Sequence, residues 1–130
     1  MNIQTRTIRD ILILDLSGDL KGSEEATTLH NAIREALKSG VIKIVINLSD
    51  LNFFDDLGFG ALISGYTVIS NQGRSLKFVI STKKIRKLFL KIKGPWPCLP
   101  VVDSEQAAIE YFTGWPPEAV KGQDIENGNR

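Results

Sequence analysis

Short apolar runs and longer amphipathic stretches alternate along most of the chain. Residues 11–16 and 41–48 are β-branched, almost continuously apolar and bounded by glycine or aspartate, which is typical of strands buried on both faces. Residues 3–8 are more polar and alternate, which predicts an edge strand joined to the next by a tight turn. Residues 76–80 and 99–102 predict two further strands. The predicted core of the sheet consists of Leu12, Leu14, Ile44, Ile46, Phe78 and Val101.

A segment with helical periodicity follows each of these strands except the first. The residues predicted to cap them are Ser23, Asp55 with Asp56, Thr82, and Asp103 with Gln106 as a capping box. This order predicts an α/β fold with a mixed, mostly parallel β-sheet flanked by about four helices. Residues 1–113 are predicted to form one domain. Residues 114–130 are rich in proline, glycine and charge without periodicity, which predicts a flexible tail.

The second predicted helix, which ends near Asn71, is rich in glycine. Its packing face is predicted to comprise Leu57, Ala61, Leu62, Gly65, Val68 and Ile69. Gly58, Gly60 and Gly65 each disfavour a helix by up to about 1 kcal/mol. Their number therefore predicts that another part of the backbone approaches this helix closely.

The composition of the chain excludes several classes of function but does not indicate a particular one. The 130 residues contain 16 Lys and Arg against 15 Asp and Glu, so no global positive field favours nucleic acid or an anionic membrane. One histidine, His30, and one cysteine, Cys98, predict neither a multi-histidine nor a thiolate metal site, and no cofactor is expected. Cys98 lies between prolines and is predicted to be a buried, inert thiol. With no apolar run of membrane-spanning length and no signal-peptide pattern, we expect a cytoplasmic protein without stable membrane insertion.

Four segments of the chain resemble a known family. Residues 44–60 read Ile-Val-Ile-Asn-Leu-Ser-Asp-Leu-Asn-Phe-Phe-Asp-Asp-Leu-Gly-Phe-Gly, a buried strand, an apolar pair and a glycine-rich helix start. Residues 16–20 read Leu-Ser-Gly-Asp-Leu, residues 72–77 contain Gly-Arg-Ser-Leu, and residues 101–108 combine a short apolar strand with an acidic cap. In this order and spacing they are similar to STAS domains, which include the bacterial anti-sigma factor antagonists. The resemblance covers about residues 3–112.

The resemblance is least complete at the residue that carries regulation in that family. Asp55 matches the aspartate that opens the signature, and Gly58 and Gly60 match its two glycines. The phosphoacceptor serine of the family is replaced by Asp56, and the small residue after it by Leu57. The resemblance therefore implies a STAS domain that lacks the standard phosphorylation switch.

The resemblance also implies a function. It predicts a non-enzymatic regulatory module in bacterial signal transduction and transcription regulation that binds an anti-sigma factor, a serine kinase or a related ATPase. The residues predicted to form the partner-binding site are Asp19, Asp55, Asp56, Leu57 and Gly58. A homodimer is left open. The alternative within the same family is a STAS accessory subunit of an ABC-type transporter.

The same two acids have three alternative interpretations: helix caps, a metal or acid–base site, and the acids of a phosphoryl receiver. Asp55 and Asp56 could serve only as helix caps, since aspartate is among the best capping residues. Neighbouring carboxylates without histidine or cysteine nearby favour neither a metal site nor acid–base catalysis. A phosphoryl receiver has similar length and alternation, but its acids stand at strand ends, whereas these stand at a loop–helix junction.

The third predicted helix carries a strip of cations with no acid among them. The strip comprises Lys83, Lys84, Arg86, Lys87, Lys91 and Lys93. A solvated face opposite Ile85, Leu88, Phe89 and Ile92 is favoured over a surface for an acidic partner or lipid headgroups. Nucleic acid is disfavoured because no aromatic residues are interleaved with the cations.

Overall fold

The structure, a computed structural model, describes residues 1–94 and 99–114. The prediction for Cys98 and that for the tail from residue 115 onward fall outside the described residues. In chain order the elements are β1 (Asn2–Ile8), β2 (Ile11–Leu20), α1 (Gly22–Lys38), β3 (Lys43–Phe54), α2 (Asp56–Asn71), β4 (Ser75–Val79), α3 (Lys83–Lys93), β5 (Val101–Val102) and α4 (Glu105–Thr113). The predicted order of strands and helices is confirmed.

The sheet is mixed and mostly parallel, as predicted. Its strands lie in the order β1-β2-β3-β4-β5. The tight turn after β1 makes the β1–β2 pair antiparallel, and every later pair is parallel because a helix carries the chain back between strands. Helical connections between parallel strands are almost always right-handed. When successive connections move in one direction across a sheet, their helices therefore lie on the same face of it.

The core divides into two layers because strand side chains alternate between the faces of the sheet. The larger layer joins α1, α2 and α3 to residues such as Leu14, Ile46 and Phe78. The smaller layer packs Ala108 and Phe112 of α4 against residues of the opposite parity, including Ile13. Of the predicted core residues, Leu14, Ile44, Ile46 and Phe78 are buried, whereas Leu12 and Val101 are partly buried at its edge.

Three strand predictions were wrong in extent. The strand predicted at residues 41–48 continues to Phe54, and the strand predicted at residues 11–16 continues to Leu20. The two extensions pair with each other across two irregularities in register. The last strand is shorter than predicted and comprises only Val101 and Val102.

Two predicted caps were also wrong, and a third has the predicted position without the side-chain hydrogen bond. Ser23 does not cap α1, which begins at Gly22 and whose amides donate no hydrogen bond to the side chain at the N-cap position. Thr82 holds the N-cap position of α3 without a side-chain hydrogen bond. In α4 the cap is Ser104, whose Oγ accepts a hydrogen bond from the Ala107 amide at 3.0 Å, so the Asp103 capping box does not form. At the start of α4, Asp103 and Ser104 are adjacent and both are good capping residues, so the sequence alone does not single out one of them.

The packing face of α2 differs from the prediction at four positions. Leu57 and Val68 are 56% and 41% exposed, whereas Gly58 and Phe59, which were not predicted to lie on this face, are buried. Phe59 lies against the aromatic rings of Phe54 and Phe89, with centroids 6.2 and 5.4 Å away. The buried face is therefore rotated toward α3.

Candidate functional site

The predicted site residues meet where β3 passes into α2. The carboxyl ends of β2 and β3 lie side by side here, with Asp19 opposite Phe53 and Leu20 opposite Phe54. The chain leaves β3 at Phe54, and Asp55 occupies the N-cap position of α2 in an extended conformation. The parallel pairing thus brings the residue before α1 next to the residue before α2.

Asp55 binds the first turns of two helices with one carboxylate. Its Oδ1 accepts a hydrogen bond from the Gly58 amide of α2 at 2.8 Å, and its Oδ2 accepts one from the Gly22 amide of α1 at 3.0 Å. Its own amide donates to the Leu20 carbonyl at 3.2 Å. Hydrogen bonds from the backbone amides of Gly58 and then Gly22 hold the pKa of the Asp55 carboxyl below its ordinary value of 3.8. Asp55 is therefore ionised near neutral pH and joins α1 to α2.

Gly58 allows this corner to close. A Cβ atom at this position would stand 2.2 Å from the Leu20 carbonyl oxygen and 2.8 Å from the Leu20 side chain. At Gly65 a Cβ would lie 2.4 Å from Cδ1 at the tip of the Ile33 side chain of α1. The predicted close approach of another part of the backbone is confirmed at Gly58, whereas Gly65 is approached by a side chain. The prediction is wrong for Gly60, whose Cβ would have no atom within 4 Å.

Asp56 and Leu57 lie on the outer side of the same turn. Asp56 is exposed, and its carboxylate makes no hydrogen bond or ion pair with any described residue. Leu57 is 56% exposed, although the apolar pattern had placed it on the packing face of α2. Phe53, at the end of β3, is 42% exposed. We refer to Phe53, Asp56 and Leu57 as the docking patch, two large apolar side chains and one carboxylate around the first turn of α2.

Asp19 lies at the same edge of the sheet but borders a different hollow. Its side chain is partly exposed, and its Oδ2 lies 3.9 Å from Lys21 Nζ. It lines a shallow hollow with Gly22 and Asn52. Asp56 instead borders a hollow between α2 and α3 whose apolar lining includes Phe59, Ile63 and Ile92. The structure therefore brings Asp55, Asp56, Leu57 and Gly58 into one turn, whereas Asp19 lies on the neighbouring strand opposite Phe53 and borders another hollow.

Sequence reasoning missed two features of this site. One is the exposure of Phe53. The apolar pair at residues 53–54 suggests two buried side chains, but side chains alternate between the faces of a strand, so Phe54 is buried and Phe53 is exposed. The other is the second hydrogen bond of Asp55, which spans 33 positions of the chain. The aspartate at the N-cap was a local signal for the first bond, but no local signal exists for a bond at that separation.

The cationic helix and the predicted absence of metal ligands concern residues outside this turn. The side chains of Ile85 and Phe89 in α3 are buried, as predicted for the inner face of the cationic helix, whereas Leu90 is 59% exposed. In the described part of the chain, no three His, Cys, Asp or Glu residues are grouped so that they could hold a metal ion. None of the described helices is both long enough and apolar enough to cross a membrane.

Comparisons with known proteins agree with this geometry. The family model described as "Mlab, STAS domain" matches residues 3–93. An anti-sigma F factor antagonist of Paenibacillus polymyxa is 26% identical over 110 residues, which are 84% of this chain and 92% of that protein. The structure of the anti-sigma factor antagonist SpoIIAA in its unphosphorylated form has a TM-score of 0.63 and 23% identity, covering 87% of this chain and 99% of that one. A sulfate transporter family protein from Wolinella succinogenes has a TM-score of 0.61 and 15% identity, covering 83% of this chain and 88% of that one.

Proposed function

The chain belongs to the STAS domain family, and we propose that it is a non-enzymatic protein-binding module of the anti-sigma factor antagonist kind, acting in bacterial signal transduction and transcription regulation. Its partner is an anti-sigma factor, a serine kinase or a related ATPase, met in the cytoplasm. The observation that carries the proposal is the docking patch. Asp56 and Leu57 are exposed at the position where the family pattern has its phosphoacceptor serine and the residue after it.

The roles of the five predicted site residues follow from their positions. Asp56 and Leu57 face outward and contact the partner. Asp55 and Gly58 hold the turn in shape from inside, through the two amide hydrogen bonds and the close approach of Leu20. Asp19 borders the partner surface from the neighbouring strand.

The balance between Asp56 and Leu57 favours binding that does not depend on phosphorylation. A phosphoserine adds nearly two negative charges, whereas Asp56 supplies about one, and an exposed charge contributes under about 1 kcal/mol after screening. Burying a whole leucine side chain contributes roughly 1.5–3 kcal/mol, so burying the exposed half of Leu57 contributes about 1 kcal/mol. Phe53 adds to this term. We therefore propose constitutive docking.

The absence of a hydroxyl at position 56 can be tested directly. We expect no kinase to phosphorylate the chain at the start of α2. Ser49 and Ser64 are the remaining acceptors in this region, and the Ser49 hydroxyl already accepts hydrogen bonds from the Ser81 amide and hydroxyl at 3.0 and 2.7 Å. Intact-mass measurement after incubation with the cognate kinase and ATP should show no added phosphate. A stoichiometric phosphate mapped to residues 49–64 contradicts this expectation.

The docking proposal is tested by titrating the cognate anti-sigma factor against single variants. Leu57→Ser should weaken binding roughly fivefold, which corresponds to about 1 kcal/mol. Asp56→Ser should change binding by less than about threefold. The matched control is Val68→Ser, an exposed apolar residue on the same helix but outside the docking patch, and it should leave binding unchanged. A large gain from Asp56→Ser, with no loss from Leu57→Ser, means that the fixed charge holds the protein in the released state.

A second candidate is the accessory subunit of an ABC-type transporter. It is supported by the fold shared with the sulfate transporter family protein and by the same fixed, apolar docking patch, which suits a permanent subunit. The two candidates predict different partners for one surface. Titration with the transporter ATPase and, separately, with the anti-sigma factor distinguishes them, because Leu57→Ser should weaken only the interaction with the true partner.

A further inference from the structure

The groove between α1 and α2 lies away from the docking patch and has no role in the function proposed above. It encloses about 480 Å³, which is within the usual range for small-molecule sites. Its floor is formed by Ile33 and Leu37 of α1 and by Gly65 of α2, where the two helices are in close contact. Val68, at 41% exposure, leaves part of its apolar surface open to the groove.

The walls of the groove are two helical rows with different chemistry. The α1 wall presents His30, Arg34 and Lys38, spaced four residues apart and thus on one face of the helix. The α2 wall presents the uncharged residues Ser64, Val68 and Gln72 at the same spacing. Among the described residues that line the groove there is no aspartate or glutamate, so the charge of this lining is positive. The eight steps from the first to the last residue of a row, at a rise of 1.5 Å each, give a length of about 12 Å.

Two side chains in the α1 row have polar groups that a ligand could use. The Nε2 atom of His30 is buried without a hydrogen-bond partner among the described residues. An unpartnered buried polar atom is unfavourable, and a turn of the His30 ring that brings Nε2 to a ligand in the groove would remove that cost. The Arg34 guanidinium donates from Nη1 to the neutral Asn31 side chain at 3.0 Å and forms no ion pair with a described residue. Lys38, in contrast, is 3.4 Å from Glu35.

We propose that this groove binds one small amphipathic carboxylate, with its head group between His30 and Arg34 and its apolar chain along Ile33, Leu37 and Val68. Arginine is suited to the head group because its planar guanidinium can donate two parallel hydrogen bonds to a carboxylate. The apolar floor is suited to an alkyl chain, and the length of the rows matches a chain of medium length. The groove is thus a second binding site, independent of the protein partner.

The test uses the full chain and three probes: decanoate below the concentration at which it forms micelles, decanol below its solubility limit in water, and acetate. Amide and histidine NMR signals should shift saturably with decanoate, with the changes confined to α1 and α2 around the groove. Decanol lacks the charge and acetate lacks the alkyl chain, so the affinity for each should be lower than that for decanoate by at least about tenfold. Equal affinity for decanol and decanoate overturns the proposal, because it means an apolar surface only.

Variants assign the two halves of the site. Arg34→Gln should weaken decanoate binding roughly tenfold, whereas Lys87→Gln, which removes an exposed cation from α3, should leave it unchanged. Val68→Glu, at a partly exposed position, should abolish binding while the spectrum remains that of a folded chain. The proposal is overturned if Arg34→Gln binds decanoate as tightly as the natural chain, or if the NMR shifts are centred outside the groove. It is also overturned if the signals of the groove residues change when the protein is concentrated and self-associates. In the last case a second copy of the chain occupies the groove.

Discussion

The first turn of α2 has an inner side and an outer side, and adjacent residues of similar chemistry act differently on them. On the inner side, the Asp55 carboxylate accepts hydrogen bonds from the amides of two helices. On the outer side, the carboxylate of Asp56 is exposed and binds no described residue. Of two neighbouring aspartates, one is thus held inside the fold and the other left exposed, according to which backbone amides lie within reach of each carboxylate.

The glycines of the same turn repeat this contrast. Gly58 lies on the inner side against the Leu20 carbonyl, whereas Gly60 faces open space. Leu57, immediately before Gly58, faces outward. The inner side therefore determines stability, and the outer side is available for a partner, as the proposed function requires.

The largest effect is expected from Gly58→Ala. The added Cβ would meet backbone at 2.2 Å, so either the β2–α2 contact or the start of α2 has to move. We expect the free energy of unfolding to fall by roughly 2–3 kcal/mol in urea denaturation. Gly60→Ala is the matched control and should raise stability by up to about 1 kcal/mol, because a helix interior favours alanine where there is room. Equal effects of the two substitutions contradict the assignment of an inner and an outer side.

The next effect is expected from Asp55→Ala. It removes both acceptors and leaves the Gly22 and Gly58 amides without their bonds, which should lower the free energy of unfolding by about 2 kcal/mol. Asp56→Ala should change it by no more than about 0.5 kcal/mol, because the carboxylate is exposed and without a partner. The two values can be measured by chemical denaturation at neutral pH. A larger loss from Asp56→Ala means that Asp56, and not Asp55, supports the turn.

A smaller effect concerns acid pH. The pKa of Asp55 is lowered by folding, so the unfolded chain binds a proton more readily at this residue, and the stabilisation is present above the ordinary value of 3.8. It is lost as the pH falls through the lower pKa of the folded state. The stability difference between the natural chain and Asp55→Asn should thus be constant near neutral pH and shrink below about pH 4. A difference that grows with acidity contradicts this sign.

The smallest effect on stability is expected from Leu57→Ser. Because the side chain is 56% exposed, the free energy of unfolding should change by no more than about 0.5 kcal/mol. Thermal and urea unfolding of this variant, made for the docking test, measure the change. A loss near 2 kcal/mol means that Leu57 packs inside the fold, in which case weaker partner binding does not locate the contact.

The local pattern of the sequence determined much of this protein. Apolar β-branched runs at residues 11–16 and 41–48 defined the central strands, because burial on both faces leaves no place for polar side chains. The start of α2 was predictable as well, since Asp55 precedes a helix and an aspartate at the N-cap satisfies amides within its own turn. Both signals act over a few residues.

Only the tertiary structure decided which residues of the site face inward. The apolar pattern placed Leu57 inside and made no prediction for Phe59, but packing against Phe54 and Phe89 buries Phe59 and turns Leu57 outward. Likewise, the Gly22 amide at the start of α1 donates a hydrogen bond to Asp55, 33 positions away, which made Ser23 unnecessary as a cap. Such contacts depend on how β2 and β3 align in the sheet, and this alignment is set by the whole core.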